Sequence, residues 1–406
     1  MPQTHPFRHE LNQLISLAGP IVAGQLATTG MYFTDTIMAG HMGANTLAAV
    51  ALGGSLWSPV MMFIMGVLFV LPPFVSQYHG AERNSDITRV VQHGVYLALA
   101  LALAAFVVFQ FPGPILQHMG VTRELIPGAS AYLHWISYGA FGLCLFSALR
   151  LSVEGLSFSR PTMLFGLLGL VLNIPLNYVF MYGKFGAPAM GAQGCGLATS
   201  LVFSIDALGL WLYVSRAKRF AHFQLLRQWC RVDWQRVLEL LHVGLPLGFS
   251  IFIEVSLFAA MTLFMGNLGA STVAAHQVAM NVATIVFMLP VGIGMALTVR
   301  VGKSVGANDH AATWRAIRGA LGLIVVIQAI TASVLVLFAR PIALVYSSDP
   351  AVVALAAHLL MIAAVFQFSD GLQMVAAGAL RGFKDTKAPM LLLIIAYWGI
   401  DIPFAN

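Results

Sequence analysis

Three carboxylates stand where water is scarce: Asp35, Glu254 and Asp370, each inside a long apolar run. An acid at the centre of a bilayer costs roughly 2.5–3.5 kcal/mol on insertion scales, so it persists where it has a partner or a task. No Lys lies mid-span, and no fixed cation is evident beside these acids. Such a carboxylate is neutralised by a proton, by Na⁺ or by an organic cation. Exchanging one of these for another is the chemistry of a cation-coupled exchanger. Gln25, Thr28, Tyr32 and Asp35 follow spacings of three and four, which predicts one polar stripe along a helix. Asn173 and Asn177 pair at i, i+4 about Pro175, and Gln277 pairs with Asn281 in the same way, beside His276. Amides and hydroxyls in lipid also hold helices together. Gln277 and His276 are read in that structural sense, as are Asp206 and Asp401. Asn173 and Asn177 stay open between structure and function. Glu154 is expected to pair with Arg150, one turn earlier.

The elements that must position these groups follow from composition. The chain has 406 residues, 59% hydrophobic and 9% charged, against about 25% charged in soluble domains. This predicts an all-α polytopic membrane protein, with the lipid bilayer as its surroundings. Apolar spans are predicted at 14–38, 50–76, 91–111, 130–152, 162–182, 193–214, 238–265, 276–300, 316–338, 352–378 and 388–406. The first is too long for a signal-peptide core and is expected to remain as a membrane helix. With a cytoplasmic N-terminus, 18 of the 21 Lys and Arg fall on the cytoplasmic side, the asymmetry that sets orientation.

The second half, slid back by 226 residues, matches the first without a gap. Pro20 meets Pro246, Gly40 meets Gly266, Gly43 meets Gly269, Gly66 meets Gly292 and Gly80 meets Gly306. After one-residue slips, Asn173-Ile174-Pro175 meets Asp401-Ile402-Pro403. Six spans in the first copy make the repeats parallel, related by an axis along the membrane normal. The expected organisation is a first lobe at 1–215, a cytoplasmic linker at 216–237 and a second lobe at 238–406. The twelfth span, which the repeat would place beyond Asn406, is expected to be missing from this chain.

Several chemistries are set aside. The net charge of +6 comes from loop residues and does not call for nucleic acid. Cys144, Cys195 and Cys230 are too scattered for a disulfide framework or zinc site. Val301-Gly302-Lys303-Ser304 resembles the end of a phosphate-binding loop, but Leu297 stands where that loop needs Gly. No cofactor is expected, nor an enzyme activity, and the energy source is expected to be an ion gradient.

The duplicated plan, the TDTIMAGHMGANTLAAVALG stretch around Asp35, the GNLGASTVAAHQVAMN stretch of the second copy, Glu254 and Asp370 together resemble the multidrug and toxic compound extrusion (MATE) transporters, NorM-like branch. The resemblance implies two six-helix lobes about a central cavity. It also implies export of cationic, often aromatic, drugs in exchange for Na⁺ or H⁺ by alternating access. Glu254 and Asp370 match the second-lobe acids of cation coupling, and would hold Na⁺ if sodium drives transport. Asp35 matches the first-lobe acid, with Asn173 and Asn177 near it. Phe366 stands where some members carry Tyr. A monomer in the bacterial inner membrane is expected. Two rival readings remain: a flippase for a lipid-linked substrate, which would want basic residues in the cavity, and a membrane redox or proton-channel subunit, which would want His pairs or mid-span Lys.

Overall fold

A bilayer offers no water to the peptide group, so an apolar chain satisfies its N–H and C=O groups within helices. The computed structural model describes residues 6–118, 123–226, 229–265 and 270–396. Among these, ten helices are long and apolar enough to cross a membrane, and they match the first ten predicted spans. The chain is a multi-pass membrane protein. The first half comprises α1 (Pro6–Met42), α2 (Ala44–Leu68), α3 (Leu71–Gly80), α4 (Asn84–Phe109), α5 (Pro112–His118), α6 (Ile126–Gly155), α7 (Arg160–Tyr182) and α8 (Ala192–Arg216). The second comprises α9 (Trp234–Met265), α10 (Ala270–Gly306), α11 (His310–Leu337), α12 (Ala339–Tyr346), α13 (Pro350–Gly382) and α14 (Lys387–Leu393), where the eleventh predicted span begins. Asp401, the rest of that span and the repeat glycines Gly266 and Gly269 lie outside the described residues.

The repeat is written into the backbone. Glu82 and its counterpart Asn308 both take left-handed φ, 57° and 56°, and Ser157 and Lys384 do so at 68° and 63°. Short helices α5 and α12, not foreseen from sequence, follow α4 and α11 at matching places. One difference has a local cause. Pro72-Pro73 lack N–H donors and start a new helix, so α2 breaks before α3. The second copy carries Thr298-Val299 there, and α10 runs through for 37 residues.

The halves meet by exchanging equivalent contacts. A Cβ on Gly80 would overlap the Lys303 carbonyl, and one on Gly306 would overlap that of Gln77, which is the repeat counterpart of Lys303. Gly66 packs on Gly248, while its counterpart Gly292 packs on Val22, the counterpart of Gly248. Such swapped pairs are the signature of a pseudo-two-fold axis between parallel repeats. Gln77 Nε2 donates to the Gly382 carbonyl at 2.8 Å, and Glu10 clasps Arg300 through two bonds of 2.8 Å. This second contact explains why α1 starts well before its predicted apolar limit: its polar first turns pack on α10 and α11. Gly80→Val and Gly306→Val are each expected to hold the halves apart here, abolishing the transport that the resemblance implies while the protein still inserts. Dye efflux set against membrane-fraction immunoblots checks this, and normal efflux from either variant refutes it.

Between the halves, residues 223–226 and 229–236 are held along α4. Tyr96 OH donates to Cys230 O at 2.9 Å, Gln92 Oε1 accepts from Cys230 N at 2.9 Å, and His93 Nε2 accepts from Asp233 N at 2.9 Å. On the same face Lys384 lies 3.7 Å from the Phe74 ring centre across the junction. Burial holds its ammonium below the ordinary lysine range, partly offset by the charge of Glu239.

Candidate functional site

The first-half site is built at the corner of α1, α7 and α8. Small residues let α7 come close to α1: a Cβ on Gly166 would lie 3.6 Å from the Gly24 carbonyl, and Gly24 faces the Met163 backbone. Tyr182 OH adds a tie to Met38 O at 2.9 Å. Asp35 is thereby 4% exposed. Its Oδ1 accepts from Asn173 Nδ2 at 3.0 Å and Asn177 Nδ2 at 2.6 Å, and its Oδ2 accepts from Thr199 Oγ1 at 3.0 Å. Asn177 also donates to Asn173 Oδ1 at 3.1 Å, so the two amides act as one unit around Pro175. No ion pair reaches Asp35 among the described residues. A carboxylate held only by uncharged donors keeps its charge free to be met by something that comes and goes.

The structure therefore joins Asp35, Asn173 and Asn177, as the family resemblance implied, and adds Thr199, which the sequence reading missed. Thr199 had one available sign: it lies seven residues before Asp206 on α8, on the same helix face. Cys195, read as a packing residue, also turns its thiol to Asp35.

The stripe of Gln25, Thr28, Tyr32 and Asp35 does not act as one surface. Thr28 Oγ1 bonds back to its own helix at Gly24 O, 3.1 Å. Tyr32 is 41% exposed. Gln25 belongs to the junction instead, where its Oε1 accepts from Arg150 at 3.4 Å and its Nε2 reaches Met295 Sδ across the halves at 3.8 Å. Spacing of three and four puts residues on one side of a helix, but α1 changes neighbours along its 37 residues.

In the second half Glu254 on α9 and Asp370 on α13 are both half-buried, and the charge of Asp370 bears on Glu254. The expectation that the acids lack a fixed cation is corrected here. The guanidinium of Arg381 also acts on Glu254. The predicted span 352–378 leaves Arg381 in the loop beyond it. α13 runs instead to Gly382, so Arg381 sits in its last turn with Nε donating to Ala377 O at 3.2 Å. Arg150 is the matching correction in the first half: it pairs with Glu154 at 3.5 Å, as expected, but inside the junction. A cavity of about 10 Å³ separates Glu154 from Arg381, room for about one water molecule.

Gln277 and Asn281 do pair, at 3.4 Å, on an exposed face of α10. No hydrogen bond joins them to Glu254 or Asp370 among the described residues. Gln328, Gln367 and Thr331 form a second polar knot unforeseen from sequence, with Thr331 Oγ1 donating to Gln367 Oε1 at 3.0 Å. Lone amides in the ninth and tenth spans were its only sign. Among the described residues no three His, Cys, Asp or Glu come together. A hard cation takes several oxygen ligands, so Na⁺ at Glu254 and Asp370 would draw on carbonyls or amides as well.

Comparison with known proteins agrees with this architecture. The MatE family profile matches twice, over residues 20–179 and 246–406, the two copies of the repeat. Multidrug resistance protein PmpM of Pseudomonas aeruginosa is 42% identical over 401 residues, covering 98% of this chain and 83% of that protein. Multidrug resistance protein NorM of Photobacterium profundum is 40% identical over 401 residues, covering 98% and 88%. Among solved structures, the eukaryotic MATE transporter AtDTX14 superposes with a TM-score of 0.89 at 19% identity, covering 98% of this chain and 88% of that one. An outward-facing multidrug resistance MATE family transporter gives 0.89 at 20%, covering 97% and 87%. With a duplicated helical bundle and a family profile that spans both copies, the chain belongs to the MatE family.

Proposed function

We propose that this chain is a cation-coupled antiporter that exports cationic, often aromatic, drugs by alternating access. The observation that carries the proposal is Asp35: a buried carboxylate held by uncharged donors, Asn173, Asn177 and Thr199 among them, with no cation beside it among the described residues. A proton or Na⁺ bound there competes with a state that leaves it charged, and each ligand shifts the protein by its difference in affinity between states. Glu254 and Asp370 serve the same purpose in the second half, and Tyr32 and Gln277 offer exposed polar contact to a drug. Support comes also from the names of the 40–42% identical relatives, both multidrug resistance proteins.

The two lobes correspond to residues 1–215 and 238–406, joined by 216–237. The contacts between them gather at the end that holds the N-terminus of α1 and the C-terminus of α10. In an inner membrane with the N-terminus cytoplasmic, that closure describes an outward-facing state. The protein acts as a monomer in this scheme.

Reconstituted vesicles with an imposed pH gradient and, separately, an imposed Na⁺ gradient decide the coupling ion. One of the two is expected to drive ethidium transport. Glu254→Gln and Asp370→Asn are each expected to lower it by about tenfold or more, the loss of roughly 1.4 kcal/mol of coupling. If neither gradient moves the dye, or both variants transport normally, the proposal fails.

A further inference from the structure

The seam between α7 and α8 does not end at Asp35. These helices run antiparallel. Moving toward the linker side, α7 presents Asn177, Asn173 and then Gly169 at intervals of four, while α8 presents Thr199 and then Asp206 at an interval of seven. Asp206 is 3% exposed, and its Oδ1 meets no hydrogen-bond donor among the described residues. Its Oδ2 fills the space that a side chain at Gly169 would take, since a Cβ there would overlap it. A buried carboxylate left without a donor is costly to keep. Here the fold spends a glycine to make room for it.

Among the described residues no charged group acts on Asp206. α7 faces it with Gly169, and its single charged residue, Arg160, starts the helix more than two turns away. α6 meets α8 through Gly139 and Gly142, which bring no charge. α1 brings Asp35, which Thr199 ties to α8. From Thr199 to Asp206 is about 10 Å along the helix, a gap that one or two waters or a turn of the side chain can bridge.

We propose that Asp206 is a second proton-binding station of the first half, on the linker side of Asp35, through which a proton leaves the Asp35 site. This rests on the exchanger reading above. The O–H bond at the Asp35 carboxyl breaks, and its proton passes through water to an Asp206 oxygen, where a new O–H bond forms. Asp35 is left as carboxylate. When the seam becomes wet from the linker side, Asp206 gives the proton to water and returns to its charged form. No electron transfer is involved, and no other reactant is needed.

The full chain in vesicles under a pH gradient tests this. Asp206→Asn is expected to cut gradient-driven ethidium transport by about tenfold or more, and Asp206→Glu to restore most of it with a shifted pH profile. A structural role alone gives no such rescue and no shift. Gly169→Ala, which pushes the carboxyl aside, is expected to resemble Asp206→Asn. Independently of any variant, a hydrophobic carbodiimide, which attacks carboxyls that carry a proton, is expected to label Asp206 at neutral pH and to lose that labelling as pH rises. Three results overturn the proposal: gradient-driven transport unaffected in Asp206→Asn, labelling at Asp35 but never at Asp206, or a wild type driven by Na⁺ alone. If Asp35→Asn itself transports normally, the exchanger reading fails instead.

Discussion

Asp35→Asn is expected to yield a folded protein that exports no dye above background. The reason lies in the donor set. The new amide keeps the shape of the old carboxyl. Its Oδ1 can accept from Asn173 and Asn177, and its Nδ2 can donate to the Thr199 hydroxyl, so each of these three bonds keeps a partner. Hydrogen bonds to a charged group are worth about 1.5–3 kcal/mol and neutral ones about 0.5–1.5 kcal/mol; the difference over three bonds is offset because a charge no longer has to be buried, so the net loss of stability stays small. What disappears is the capacity to hold a proton in one state and none in another. Asp35→Leu is the contrasting case. It strands three donors, at about 1–3 kcal/mol each, and is expected to be unstable as well as inactive. Melting temperature in detergent beside ethidium efflux in vesicles separates the two. An active Asp35→Asn, or a Leu variant as stable as wild type, would contradict this account of the site.

That site was half legible in the sequence, for reasons particular to each residue. Asp35 announced itself because a charge in an apolar run is expensive wherever it lies. Asn173 and Asn177 showed their mutual spacing but not their target, since an i, i+4 pair fixes a face and not what faces it. Thr199 gave little sign beyond its spacing from Asp206: a hydroxyl in an apolar helix can bond to its own backbone, as Thr28, Thr29 and Thr34 do on α1. Arg381 was misplaced by a boundary error of four residues, enough to move a charge from loop to junction. The repeat was the most legible feature, because period is a property of sequence alone. It correctly paired Gly80 with Gly306 and Gly66 with Gly292. That each pair's contacts would be swapped across one axis required the fold.

Glu10 was the least legible of all, an acid in a polar N-terminal stretch whose partner lies 290 residues away. Its replacement has the second large expected effect. Glu10 and Arg300 bond twice at 2.8 Å, with side chains 9% and 13% exposed. Exposed ion pairs are worth about 0–1 kcal/mol, but removing one partner of a buried pair costs about 3–5 kcal/mol, because the other charge is stranded. Here the cost falls on one arrangement only. When the halves part at this end, both side chains meet water and the lone Arg300 is no longer penalised. Glu10→Ala is therefore expected to shift the protein toward the state open at the linker side. The low end of that range, about 3 kcal/mol, is a factor of more than 100 in the equilibrium. The measurement is the rate at which a water-soluble maleimide labels a cysteine placed at Ser76, a buried position facing Gly302 across the junction. Labelling is expected to rise by at least tenfold in Glu10→Ala and to return to the parent rate in the swapped pair Glu10→Arg with Arg300→Glu. Efflux is expected to follow the same pattern, lost in the single variant and regained in the swap. If the single variant labels no faster than its parent, the pair is not a latch, and the closed junction rests on its glycine contacts alone.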